Sequence, residues 1–123
     1  GVTTNDGDWQ LSLIERVGSE RLGVNLDTMN YLWYGHALDR IDHFYEILAP
    51  HVFHTHFKDG KGSRENYKGA ALGEGDIHLD HAVACLRKAG YDGAWTAEYE
   101  GPEAEGGVGY EKCYKWLQTN VPV

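Results

Sequence analysis

Basic residues are scarce in this sequence. Lys and Arg total 11 against 19 Asp and Glu, which leaves a formal net charge of -8 at pH 7. A surface of that sign repels nucleic-acid phosphates, so a nonspecific DNA or RNA binder is not expected, while small neutral substrates remain open. Cysteine is nearly missing too, with Cys85 and Cys113 the only 2. Two cysteines without secretory features build no disulfide framework, and each is expected as a small buried or half-buried thiol. No apolar run approaches the ~20 residues that span a bilayer, so no membrane segment is expected. No signal-peptide pattern opens the chain, and a cytoplasmic location is the default expectation. Gly1 stands where an initiator Met would, as in a chain processed, tagged or cut from a longer one. A GxGxxG after a strand and a Walker motif are both lacking, which leaves a nucleotide-binding sheet without support.

What remains is the composition of a soluble globular domain: 123 residues, 41% hydrophobic and 24% charged. Its order is legible from periodicity. Asn5-Asp6-Gly7-Asp8 is turn and cap chemistry ahead of Trp9, Leu13, Ile14 and Val17, which fall on one helical face, and Gly18 can end that helix. Residues 21–27 read as a short buried strand closing in a carboxylate. A helix over about 37–48 has Ile41, Phe44, Tyr45 and Leu48 as its apolar stripe, and Pro50 stops it. Residues 51–57 are β-branched and aromatic enough for a strand. Residues 59–76 are rich in glycine and charge and read as a long loop, of the kind that is often functional. Leu79, Ala82, Val83 and Leu86 define a third helix closed by Gly90, residues 93–98 a third strand, and residues 110–117 a terminal helix. Strands alternating with helices imply parallel pairing with right-handed crossovers, hence α/β.

Each expected strand closes with a group able to bind a cation: Asp27, His56 and Glu98. In parallel α/β folds the C-terminal strand ends line the active site. A single strand-end carboxylate is usually a cap, but three polar groups in register are harder to explain that way. Carboxylate with imidazole suits Mn, Co, Mg, Fe or Zn, and the lack of strand-end cysteines argues against a structural zinc site.

At these positions the sequence resembles the C-terminal part of the sugar phosphate isomerase/epimerase superfamily, the xylose isomerase-like TIM barrels. Four segments carry the likeness: Gly23-Val24-Asn25-Leu26-Asp27-Thr28-Met29-Asn30, His54-Thr55-His56-Phe57-Lys58-Asp59, Leu72-Gly73-Glu74-Gly75-Asp76-Ile77, and Gly90-Tyr91-Asp92-Gly93-Ala94-Trp95-Thr96-Ala97-Glu98-Tyr99. The resemblance implies a (β/α)8 barrel of about 250 residues or more, of which this chain would be the last three strands and their helices over residues 1–123. The family holds a divalent metal with a Glu, an Asp, a His and a second Glu. By position the Asp is Asp27, the His is His56 and the second Glu is Glu98. The first Glu would belong to a strand ahead of Gly1, with residues 1–5 as the loop after it. An incomplete sheet with uncovered apolar faces is therefore expected, to be completed by further polypeptide, a complementing chain or a homo-oligomer.

The activity implied is isomerisation or epimerisation of a sugar or sugar derivative through an enediolate, with divalent Mn, Co, Mg or Zn as cofactor and Glu98 as one of two proton-transferring carboxylates. Glu100, two residues on, could exchange roles with Glu98. Asn30, His54 and Lys58 are candidate substrate contacts: Asn30 stands where many relatives carry a substrate-contacting His, and His54 and Lys58 share a strand face with His56. His54 could equally be packed, and Lys58 solvated. An Arg that clamps substrate in some epimerases has Gly62 in its place, with Arg64 nearby. Trp33, Tyr34 and His36 crowd the loop after Asp27, while Trp9, Trp95 and Trp116 read as packing residues. Endonuclease IV shares the barrel and the Leu-Gly-Glu-Gly segment, but its extra zinc ligands fall on Asn30, Tyr67 and Gly69 here, which argues against DNA cleavage. A keto-sugar or keto-cyclitol dehydratase on the same site, and a non-catalytic barrel module, are the remaining readings.

Overall fold

Asp6 and Gly18 frame the first helix. Asp6 Oδ1 accepts a hydrogen bond from Trp9 N at 3.0 Å, and Gly18 leaves the helix at φ 64°, where a side chain would be strained. Between them runs α1, Gly7–Val17. The computed structural model describes residues 4–121; of the opening segment expected as a loop, residues 1–3 lie outside the described residues. Next come strand β1, Val24–Asp27, the short helix α2, Asn30–Trp33, and α3, Leu38–Leu48. A 3-10 turn through Pro50 leads into β2, Val52–His56. β1 and β2 pair in parallel with Asp27 opposite His56, and α3 is the crossover between them.

The apolar stripe of α3 is the centre of the core. Ile41, Phe44, Tyr45 and Leu48 are each at most 1% exposed. Burying side chains of this size stabilises the fold by ~1.5–3 kcal/mol each. Helix α4, Leu79–Lys88, packs on α3 with Leu79, Ala82, Val83 and Leu86 buried, the face that periodicity indicated. Two histidine–carboxylate pairs staple these helices from outside: His78 Nδ1 lies 2.7 Å from Asp42 Oδ2, and His81 Nε2 lies 3.1 Å from Glu46 Oε1. Helix α5, Val108–Asn120, closes the chain; its Cys113 is buried, as is half of Cys85 on α4. Trp95 and Trp116 pack on Phe57 as expected, with ring centroids 5.5 and 6.2 Å away.

The structure departs from the sequence reading in four places. The expected third strand, residues 93–98, makes one parallel bridge, Phe57 with Ala97, and no ladder. Phe57 N donates to Thr96 O at 2.7 Å and Glu98 N to Phe57 O at 2.9 Å. Below that the buried Thr55 hydroxyl donates to Ala94 O at 2.8 Å and accepts from Thr96 N at 3.3 Å, while Thr96 Oγ1 donates to Thr55 O. Threonine side chains thus stand where ladder bonds would run. Second, residues 59–76 are not all loop: β3, Asp59–Lys61, and β4, Lys68–Ala70, form an antiparallel hairpin whose glycines and lysines concealed it. Third, α2 follows Asp27 directly, because Asp27 Oδ1 accepts from Met29 N and Asn30 N at 2.9 Å each. Fourth, only Ile14 of the expected α1 face is buried. Trp9, Leu13 and Val17 are 39, 40 and 53% exposed, so the reading of Trp9 as a core residue fails, since no element among the described residues covers it. The uncovered apolar faces that an incomplete sheet entails lie here and at Phe53.

The hairpin and the turn after it are held by one carboxylate. Asp59, 1% exposed, accepts from four backbone N–H groups: Gly60 at 2.8 Å, Gly73 and Gly75 at 3.0 Å and Ile77 at 3.2 Å. Gly73 has φ 87°, and a Cβ on Gly75 would lie 2.1 Å from Asp59 Oδ1. The Leu-Gly-Glu-Gly segment is therefore a wrapping for this side chain.

Asp59→Ala leaves those buried N–H groups without an acceptor and is expected to cost ~3 kcal/mol or more in urea unfolding. Unchanged stability would show that other contacts shape residues 72–77. A second expectation concerns pH. The hydrogen bond to Asp42 raises the His78 imidazole above its ordinary value. A raised value means stability present below the ordinary histidine range and lost as pH rises through the raised one. The pair is half exposed, so the effect should stay below about 1 kcal/mol. The melting temperature of the parent should fall more steeply than that of His78→Gln between mildly acidic and mildly alkaline pH; parallel curves would remove the staple.

Candidate metal centre

The pairing of β1 with β2 places Asp27 beside His56, and the bridge at Ala97 brings Glu98 to the same end. Each offers a ligand atom, and these atoms lie within 4.8 Å of one another. His56 Nδ1 is 2.9 Å from Glu98 Oε2. Two ligands held ~2.1 Å from one ion at right angles are about 3 Å apart, so this edge matches a shared cation. Asp27 Oδ1 accepts both N–H groups at the start of α2, and neither of those bonds involves Oδ2. One imidazole and two carboxylates form a donor set that fits Mn, Co, Mg or Zn.

The two carboxylates differ in electrostatics. Burial pushes the Asp27 carboxyl up and Glu98 adds to the push, against the Met29 and Asn30 N–H groups and the Lys58 charge. The hydrogen bond from His56 holds Glu98 below its ordinary range, helped by Lys58. Lys58 is not solvated: its side chain is 8% exposed, with Nζ 2.6 Å from Glu100 Oε2 and 3.5 Å from Glu98 Oε1. Burial alone would lower its ammonium, but the Glu100 hydrogen bond and the charges of Asp27, Glu98 and Glu100 outweigh that and raise it. The backbone beneath is pinned by buried Thr28, whose hydroxyl donates to Lys58 O at 2.7 Å and accepts from Lys58 N at 2.9 Å.

These groups open into a cavity of about 610 Å³. Asp27, His56, Glu98, Lys58 and Asn30 all line it. His54 does not: its ring packs edge-on against His56, centroids 5.4 Å apart, opposite Asn25 in the ladder. Glu98 and Glu100 take separate places, Glu98 with Asp27 and His56, Glu100 on Lys58. The wall opposite is aromatic, made by Trp33 and Tyr34. Arg64 does not line the cavity; it stacks over these rings at 4.6 and 5.4 Å and donates its N–H to Trp33 O. His36 sits apart, packed edge-on against Phe44.

Sequence reasoning passed over Asn25, Met29 and Tyr67 as pocket residues, and named Glu100 only as a substitute for Glu98. Asn25 could have been found, since it lies two residues before Asp27 on the same strand face. Tyr67 could not, because the hairpin brings it in. Its hydroxyl is buried in the wall and finds no hydrogen-bond partner among the described residues. The hairpin approaches so closely that a Cβ on Gly69 would lie 1.5 Å from Glu100 O. At the positions where endonuclease IV has ligands, Asn30, Tyr67 and Gly69 bring no further group to the three.

Residues 3–120 match the family described as xylose isomerase-like TIM barrel. Among solved structures, a xylose isomerase domain protein from Planctomyces limnophilus is 25% identical, with a TM-score of 0.73 over 93% of this chain and 42% of its own. An IOLI protein with a bound zinc atom is similar in fold, with a TM-score of 0.64 at 19% identity, over 95% of this chain and 42% of its own. The chain thus spans 42% of the length of either structure. No curated protein matches it. Among the described residues no helix is long and apolar enough to cross a membrane. With parallel strands inside, helices outside and polar residues gathered at the strand ends, the chain belongs to the xylose isomerase-like TIM-barrel family, of whose barrel it forms a part.

Proposed function

We propose that this chain carries the metal-binding side of an isomerase or epimerase that acts on a sugar or sugar derivative through an enediolate. The convergence of Asp27, His56 and Glu98 within 4.8 Å, at one rim of the strands, is the observation that carries this reading. These three would hold a divalent cation, with a fourth ligand and the other strands supplied by polypeptide outside residues 4–121. Bound there, the cation would polarise a ketose carbonyl and acidify the neighbouring C–H.

The residues of this chain supply the rest. Glu98, held below its ordinary range by His56 and Lys58, would exchange the proton on one face of the enediolate. Lys58 and Asn30 hydrogen-bond substrate oxygens, and His54 supports them by fixing the His56 ring. The Trp33 and Tyr34 rings cover the C–H face of the sugar. Exchange of the second proton needs a second carboxylate, so the 123-residue chain by itself is expected to bind metal without turnover.

Calorimetric titration with Mn²⁺ tests the reading. The parent should bind, and Asp27→Ala and His56→Ala should each weaken binding by about a hundredfold or more, as loss of a direct ligand does. Full affinity in either variant would dismiss the site. Because the imidazole must be neutral and both carboxyls deprotonated to act as ligands, affinity should fall on acidification. In the complete barrel, loading with metal and incubating with ketoses in D₂O should place deuterium on the carbon beside the carbonyl; a product that has lost water would reassign the reaction to dehydration.

A further inference from the structure

Lys58 and Glu100 are adjacent to the three ligands, yet neither is required to hold a cation. A buried ammonium there opposes metal binding in two ways. It repels a dication across a pocket that water screens poorly, and it competes for Glu98, whose Oε1 lies 3.5 Å from Lys58 Nζ. The structure shows how both effects are blunted. Lys58 Nζ sits closer to Glu100, at 2.6 Å from Oε2, while Glu98 turns its other oxygen to His56 at 2.9 Å. Of the charges around the pocket, Asp27, Glu98 and Glu100 are negative and Lys58 positive, which leaves about two negative charges with His56 neutral, the amount that one divalent ion neutralises.

Resting on the reading of Asp27, His56 and Glu98 as ligands, we propose that Glu100 is a positioning residue: it draws the Lys58 ammonium onto itself and away from Glu98, so that a divalent cation and a lysine can occupy one pocket. Glu100 itself stays off the metal. Without it, Lys58 turns to the nearest remaining carboxylate, Glu98, and withdraws a ligand. The hairpin supports this placement, since its Gly69 lies against the Glu100 carbonyl and Tyr67 closes the wall beside it.

The test is a double-mutant cycle on Mn²⁺ affinity, measured by calorimetry on the full-length protein. Glu100→Gln should weaken Mn²⁺ binding about tenfold, the lower range for residues that orient a ligand. Lys58→Met should bind at least as tightly as the parent. The Lys58→Met/Glu100→Gln double variant should bind like Lys58→Met, because the competing ammonium is gone; a purely structural role for Glu100 would not be rescued in this way. Parent-like affinity in Glu100→Gln overturns the proposal, as does a loss that persists in the double variant. Melting temperatures of all four proteins separate misfolding from lost affinity. If the parent binds no Mn²⁺ at all, the ligand assignment fails and the proposal with it; if the parent binds and the cycle shows no coupling, the proposal fails alone.

Discussion

The Asp59 carboxylate is the constraint on which the pocket side of this molecule depends. It sits one residue beyond Lys58, at the point where β2 leaves the sheet, and gathers N–H groups from residues up to 18 positions ahead. Binding those groups folds the intervening chain back as a hairpin and sets Tyr67 in the cavity wall. The turn residues are glycines because a side chain at Gly75 would collide with the carboxylate. Thr28 acts in concert from the other side, tying both backbone groups of Lys58 to the end of β1. The stretch from His56 to Asp59 is thus clamped at each end, and its side chains inherit that rigidity.

On this frame the pocket separates charges that would otherwise neutralise one another unproductively. Asp27 is pressed towards the neutral form by burial, whereas Glu98 is held ionised by its neighbours. The two carboxylates that face each other across the pocket therefore differ in their readiness to take up a proton, Asp27 more and Glu98 less. Lys58, largely buried yet charged, is tolerated because Glu100 and Glu98 both reach it.

The legible parts were those decided by local pattern. The faces of α3 and α4 followed from spacing alone, since a buried stripe repeats every three or four residues whatever packs on it. Asp27, His56 and Glu98 stood out because parallel strands align their ends. What escaped depended on contacts between distant residues. The β3–β4 hairpin is held through Asp59 and glycines, not by β-forming side chains, so its composition read as loop. Thr55 and Thr96 looked like ordinary strand residues, and only the coordinates show their hydroxyls inserted between the chains. The α1 stripe was legible as apolar, and it is among the uncovered faces expected of an incomplete sheet, although which faces would stay bare was not legible. Position relative to Gly93 favoured Glu98 over Glu100, and the place of Lys58 between them shows how their surroundings differ.

The threonine-mediated attachment of residues 94–98 has a consequence for the ion itself. Asp27 and His56 stand on a parallel ladder, while Glu98 follows a segment joined by two backbone bonds at Phe57 and, behind them, by the Thr55 and Thr96 hydroxyls. The Glu98 side has fewer backbone bonds beneath it than the ladder carrying the other two groups. Were an ion bound at the three, the glutamate would be the ligand with the fewest backbone ties to adjust in fitting its radius.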